Sequence, residues 1–111
     1  PSLVRIAHLH GEEADPELIA DYPVEVLSWS DKASAPTIPE AASHYGWVPM
    51  VGIDELTSLY WTPSEAVAHV IQARRAAGDR LIVAPNCTLH SDINPLTLVG
   101  LRRGVDVALT Y

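Results

Sequence analysis

Several residue types are scarce in this chain, and each scarcity narrows the class of protein. Among its 111 residues there is one cysteine, Cys87, and no phenylalanine. A lone cysteine excludes an internal disulfide, so Cys87 is a small buried residue, a reactive thiol or a metal ligand. No run of about 18 apolar residues, the length that spans a bilayer, occurs in the sequence. We therefore expect a cytoplasmic protein of about one small domain.

Basic residues are also scarce. Seven Lys and Arg residues accompany fourteen Asp and Glu residues, which gives a formal net charge of −7. Binding to phosphate groups relies on positive charge, so this balance argues against nucleic acid and against an anionic membrane as partners. We expect a small-molecule substrate instead.

Apolar runs and turn signals alternate along the chain. Runs at 3–7, 24–29, 47–52 and 80–85 are predicted to be strands. Helices are predicted from Asp15 to about 22, over 37–45, from a capping box at Thr62 to Gly78, and from Asn94 to about 109. Strands that alternate with helices require parallel pairing, so the predicted class is α/β, with four βα units in a single segment, 1–111.

Two histidines close the first apolar run. His8 and His10 are two positions apart, so a strand would carry both imidazoles on one side. Cys87 follows the fourth predicted strand, and the carboxyl ends of parallel strands share one edge of the sheet. The three residues are thus a candidate metal-binding set. The alternatives are two polar side chains where a strand meets solvent, and a cysteine that packs as a small apolar residue.

The loops after the predicted strands also carry candidate catalytic residues. Glu12 follows the histidine pair, Asp54 lies at the exit of the third strand, and His90 lies three residues after Cys87. Each has a simpler interpretation, because acidic and polar residues are common on solvated loops. No glycine-rich phosphate loop and no nucleophile elbow is present.

Five segments together resemble a known family. The runs are IAHLHGEE, VEVLSWS, VGID, TPSEAVAHVIQA and LIVAPNCTLHSDINPLTLVGLRRGV. They are similar, in the same order, to the C-terminal half of the uroporphyrinogen decarboxylase superfamily. The resemblance covers nearly the whole chain and implies strands five to eight of a TIM (β/α)₈ barrel, with their helices.

One branch of that superfamily comprises the zinc-dependent methylcobamide:thiol methyltransferases. Their zinc motif is His-x-Cys followed by a distant cysteine in a Pro-Gly-Cys setting. His8 matches the first ligand, His10 stands where the first cysteine would be, and Cys87, after Pro85 and Asn86, matches the last. The resemblance thus implies zinc as cofactor and a methyl-corrinoid as co-substrate, with an imidazole replacing one thiolate.

The other branch decarboxylates tetrapyrroles in haem biosynthesis. Its last loop presents a histidine in an Asn-x-Gly-His setting, and Cys87 stands at about that position here, with His90 nearby. The exit Gly52-Ile53-Asp54 is similar to that branch's Gly-Asn-Leu-Asp. Tetrapyrrole decarboxylation is therefore the alternative activity.

Four βα units leave two open sheet edges, whereas a full barrel of about 250 residues closes on itself. We expect a segment of a longer enzyme that lacks its N-terminal half-barrel, or a half-barrel that forms a homo-oligomer. A non-catalytic half-barrel is the third possibility. Because the strands that carry His8 and Cys87 are three apart in barrel order, the metal site is expected to need the closed barrel.

Overall fold

The structure, a computed structural model, describes residues 3–110. Residues 1, 2 and 111 of the predicted segment lie outside the described part. The strands are β1 (Ile6–His8), β2 (Val26–Ser28), β3 (Val48–Ile53) and β4 (Ile82–Pro85). The α-helices are α1 (Ile38–Ser43), α2 (Pro63–Ala77) and α3 (Pro95–Ala108), and 3₁₀ turns lie at Pro16–Ile19 and Ser58–Tyr60.

The four strands form one sheet in the order β1-β2-β3-β4. All three neighbouring pairs are parallel. The predicted α/β class, with helices alternating with parallel strands, is confirmed. β1 and β4 are the edges of this sheet, and their carboxyl ends lead directly to the histidines and to Cys87.

The core lies between the sheet and the helices. A first cluster contains Leu27, Trp29, Ile38, Ala41, Trp47, Val51 and Ala73, and a second contains Ile53, Trp61, Ala66, Val70, Leu101 and Ala108. Trp29 is fully buried, and its indole Nε1 donates a hydrogen bond of 2.8 Å to the Pro36 carbonyl. These contacts fix β2 and β3, the central strands between the two edges that carry the candidate site.

Two glycines inside α3 have a packing reason. A Cβ atom on Gly100 would lie 2.7 Å from the Pro63 carbonyl oxygen, and one on Gly104 would lie 3.0 Å from Val70 Cβ. The backbones of α2 and α3 therefore approach more closely than a larger residue would allow. This close packing offsets the cost of about 1 kcal/mol that each glycine carries in a helix.

The predicted first helix is only a 3₁₀ turn. Asp15 caps it as expected, accepting a 3.0 Å hydrogen bond from the Glu17 amide, but the turn ends at Ile19 rather than near residue 22. A segment stopped so soon by Pro23 is too short to offset the cost of nucleating an α-helix. The 3₁₀ turn Ser58–Tyr60 was not predicted, because its segment has no helical apolar pattern.

Helix length and apolarity bear on membrane insertion. Within residues 3–110, every helix falls short of the combination of length and apolarity that crossing a bilayer requires.

Candidate metal centre

His8, His10 and Cys87 lie together at the carboxyl end of the sheet. Their nearest ligand atoms, one from each residue, all lie within 4.8 Å of one another. His10 Nδ1 and Cys87 Sγ are 3.6 Å apart, and the two imidazole centroids are separated by 6.2 Å. Both histidines are exposed and Cys87 is half-buried, so the group is open to solvent on one side. In the described part of the chain, this is the one group of three or more such side chains at metal-binding distances.

The donor set fits zinc. Zn–N bonds of about 2.1 Å and a Zn–S bond of about 2.3 Å at the tetrahedral angle place two ligand atoms about 3.6 Å apart. The observed separation of His10 Nδ1 and Cys87 Sγ is also 3.6 Å. The widest separation in the group, up to 4.8 Å, would have to close by about 1 Å for zinc to contact all three donors. Imidazole and thiolate are usual zinc ligands, so the donor chemistry and the His10–Cys87 spacing suit zinc, whereas the widest pair must move closer.

The single chain brings these residues together without a closed barrel. β1 and β4 are separated by two other strands, and three strand spacings of about 4.8 Å would put the edges of a flat sheet about 14 Å apart. The ligand atoms nevertheless lie within 4.8 Å. The two edges of the sheet therefore lie closer at this end than they would in a flat sheet. The grouping of the three side chains thus forms within one chain, and the expectation that metal binding needs the closed barrel stays a prediction.

His8 is held by a buried serine on the next strand. Ser28 lies opposite His8 in the β1–β2 register, and its Oγ is 2.9 Å from His8 Nδ1. The Leu9 amide donates a 2.9 Å hydrogen bond to the Ser28 carbonyl, which anchors the backbone between the two histidines. With Nδ1 engaged by Ser28, the other ring nitrogen, Nε2, is left for a metal.

The segment that carries Cys87 is held by its neighbour, Asn86. This side chain is fully buried: its Oδ1 accepts a 3.1 Å hydrogen bond from the Gly52 amide, and its Nδ2 donates a 2.8 Å hydrogen bond to Asp31 Oδ1. The backbone N–H of Asn86 also donates a 2.9 Å hydrogen bond to the Ile53 carbonyl. Gly52 has φ of +119°, a conformation that side chains other than glycine rarely adopt.

The Asp31 carboxyl is partly removed from water, and burial raises its pKa above the ordinary value. The hydrogen bond from Asn86 opposes this rise, because it favours the ionised form. The charge of Asp54 adds a smaller upward contribution to the pKa of Asp31. The hydrogen bond from Asn86 therefore favours the ionised form of the Asp31 carboxyl, which burial disfavours.

The three candidate catalytic residues are not joined to this group. Glu12 is exposed. Asp54 accepts hydrogen bonds from the Leu56 amide and the Thr57 hydroxyl, and His90 Nδ1 accepts one from the Asp92 amide. Along residues 3–110, no hydrogen bond links Glu12, Asp54 or His90 to His8, His10 or Cys87. Asp54 and His90 therefore stabilise their own turns.

The sequence reasoning did not identify two supporting residues. Ser28 and Asn86 contact or adjoin the ligands, yet both look like ordinary polar residues in an apolar run. The available signals were positional: Asn86 immediately precedes Cys87, and Ser28 ends the strand next to the histidine strand.

Comparisons of the chain with protein-family models, with curated proteins and with solved structures find no match. The resemblance to the uroporphyrinogen decarboxylase superfamily therefore stays a prediction from sequence motifs.

Proposed function

We propose that this chain forms the zinc-binding part of a uroporphyrinogen-decarboxylase-like barrel enzyme that transfers a methyl group to a thiol. The observation that carries the proposal is the 3.6 Å separation of His10 Nδ1 and Cys87 Sγ, with a donor atom of His8 within 4.8 Å. The same 3.6 Å contact also suits a thiol–imidazole hydrogen bond, so measurement of metal binding decides between the two interpretations.

The donor set suits a catalytic rather than a structural site. Structural zinc usually has four protein ligands, whereas three protein ligands leave a position for water or substrate. Zinc bound there would act as a Lewis acid that lowers the pKa of a substrate thiol. A methyl-corrinoid would be the methyl donor.

Four residues have distinct parts in this proposal. Cys87 would bind as a thiolate, and His8 and His10 as neutral imidazoles. Ser28 holds His8 through its Nδ1, and the exposed side of the group leaves room for the thiol substrate. A neutral imidazole at position 10 donates less charge than a thiolate, so the bound substrate thiolate would be less nucleophilic than with two cysteine ligands.

Zinc content tests the proposal. We expect about one zinc per chain by elemental analysis, and loss of that zinc in a Cys87→Ser variant, because serine is a poor zinc ligand. His44→Gln is the matched control, since His44 is an exposed histidine at the C-terminal end of α1. This variant should leave the zinc content unchanged.

Thermal unfolding provides a second measurement. Zinc at 100 times its dissociation constant would stabilise the folded chain by about 2.7 kcal/mol, so chelation should lower the Tm. Protein that contains no zinc, and whose Tm is the same with and without chelator, would overturn the proposal.

Ligand binding distinguishes the decarboxylase alternative from methyl transfer. An acidic tetrapyrrole needs cationic partners, and the strand-end loops offer Lys32 and the histidines. Tight binding of a porphyrinogen analogue to zinc-free protein would favour that alternative, whereas the methyl-transfer proposal expects no tight binding.

A further inference from the structure

We infer that Asn86 and Asp31 form a clamp that holds the Cys87 thiol beside His10. This inference rests on the proposed function, because it assigns the clamp to the metal centre. Neither residue is a metal ligand here; both act through the position of Cys87.

Asn86 is held at both ends of its side-chain amide. Its Oδ1 is bound by the Gly52 amide of β3 and its Nδ2 by Asp31, while its own backbone N–H bonds to Ile53. With no exposed surface, this side chain has no water to replace these partners. Its backbone is therefore fixed, and Cys87 is the next residue, about 3.8 Å away between Cα atoms.

Asp31 closes the clamp from the other side. It lies in the loop after β2, 55 positions from Asn86 in sequence, and supplies the acceptor for Nδ2. The bonds to Gly52 and Ile53 tie Asn86 to β3 alone. Among residues 3–110, the hydrogen bond to Asp31 is the one from the Asn86 side chain that reaches the loop after β2, and β2 also contacts His8 through Ser28. The clamp thus fixes the positions of Cys87 and His8 relative to β2.

A ligand displaced by a fraction of an ångström binds metal less well, so loss of the clamp should lower affinity. Residues that support metal ligands typically change affinity by about 10–100-fold when removed. Asp31 acts through Asn86 and not directly on Cys87, so we expect the lower end of that range, on the order of 10-fold.

Cobalt(II) binding measures this effect, because a cobalt–thiolate bond gives a charge-transfer absorption that reports Cys87 itself. In Asp31→Ala, the buried Nδ2 of Asn86 loses its acceptor; we expect cobalt affinity to fall about 10-fold and the thiolate band to weaken. Asp31→Asn keeps an acceptor oxygen and should remain within about 3-fold of the unaltered chain.

Thr97→Val controls for general destabilisation. Thr97 lies in α3 and is as buried as Asn86. Its hydroxyl donates a 2.8 Å hydrogen bond to the Trp61 carbonyl and makes no hydrogen bond to the candidate metal group. We expect this variant to lower the Tm without changing the cobalt band. An equal loss of cobalt affinity in Thr97→Val and Asp31→Ala would overturn the inference, as would unchanged affinity in Asp31→Ala.

Hydrogen exchange in metal-free protein separates this inference from the proposed function. Asp31→Ala should speed exchange of the Asn86 and Gly52 amides, which hydrogen-bond to Ile53 and to the Asn86 side chain, and Asp31→Asn should not. An unaltered chain that binds no cobalt would overturn the proposed function; if exchange were also unchanged in Asp31→Ala, the clamp itself would be refuted. Faster exchange with no cobalt binding would leave a clamp on the Cys87 segment and remove its assignment to a metal.

Discussion

At the scale of the residue, Ser28 engages Nδ1 of His8 and leaves Nε2 without this contact. Its hydroxyl is 2.9 Å from His8 Nδ1, and Ser28 is buried, so water does not readily replace it. A histidine whose ring is fixed in this way presents Nε2 in one orientation and loses less entropy when it binds metal.

Removing that hydroxyl should weaken the site. In Ser28→Ala we expect cobalt affinity to fall by about 10-fold, because His8 can then rotate and change tautomer. Titration of cobalt into metal-free protein measures it. Ser58→Ala is the matched control, since Ser58 is equally buried but its hydroxyl has no hydrogen-bond partner; its removal should be neutral or stabilising. If both variants lost affinity alike, Ser28 would have no specific role.

The grouping of the three candidate ligands could be predicted in part, and the contacts that support them could not. The nearness of His8 and Cys87 follows from the shared edge of parallel strands, whereas β1 ends at His8, so His10 reaches the group from the loop and not through the strand period of two. The contacts of Ser28 and Asn86 depend on the register between strands and on a bond across 55 positions, which no local pattern contains.

At the scale of the element, α2 and α3 pack closely because α3 carries glycine where it contacts α2. A Cβ on Gly100 would lie 2.7 Å from the backbone oxygen of Pro63, and backbone cannot move aside as a flexible side chain can. The general preference for alanine over glycine in helices is therefore reversed at this position.

Gly100→Ala should destabilise the chain. We expect the free energy of unfolding to fall by about 1–3 kcal/mol, the usual cost of overpacking, and not to rise by the helix-propensity gain of about 1 kcal/mol. Urea unfolding followed by circular dichroism measures it. Val99→Ala, at an exposed neighbouring position of α3, should change stability little. A stabilised Gly100→Ala chain would show that the helices separate readily.

Helix starts were predicted better than helix lengths. The capping box at Thr62 is present, with Thr62 Oγ1 accepting from the Glu65 amide and Glu65 accepting from the Thr62 amide. A capping box depends on residues three positions apart, so tertiary packing does not alter it. The segment after Asp15 has a cap too, but its length is set by Pro23 and by packing, so it forms a single 3₁₀ turn.

At the scale of the whole molecule, both edges of the sheet are open in the described residues. Ile6 of β1 is 54% exposed and Ile82 of β4 is 42% exposed. Parallel sheets are normally covered on both faces and protected at their edges, so these strands are suited to pairing with further strands. A second copy of this chain would supply such strands.

We expect the 111-residue chain to self-associate at micromolar concentration. Ile6→Lys should weaken association, because a charge on an edge strand opposes pairing. Leu18→Lys is the control: Leu18 is 75% exposed in the first 3₁₀ turn and belongs to no strand, so this variant should associate as the unaltered chain does. Sedimentation velocity distinguishes them. A well-folded monomer throughout this range would contradict the half-barrel oligomer.

The position of the ligands along the chain has a consequence for folding. His10 and Cys87 are 77 positions apart, so an ion held between them would tie nearly the first tenth of the chain to its last quarter. Such a tether closes a long loop, and the chain-entropy account assigns about 4 kcal/mol to a permanent cross-link of that span. Bound metal would then act as a reversible cross-link, and a chain break anywhere between the two ligands would remove this entropic stabilisation.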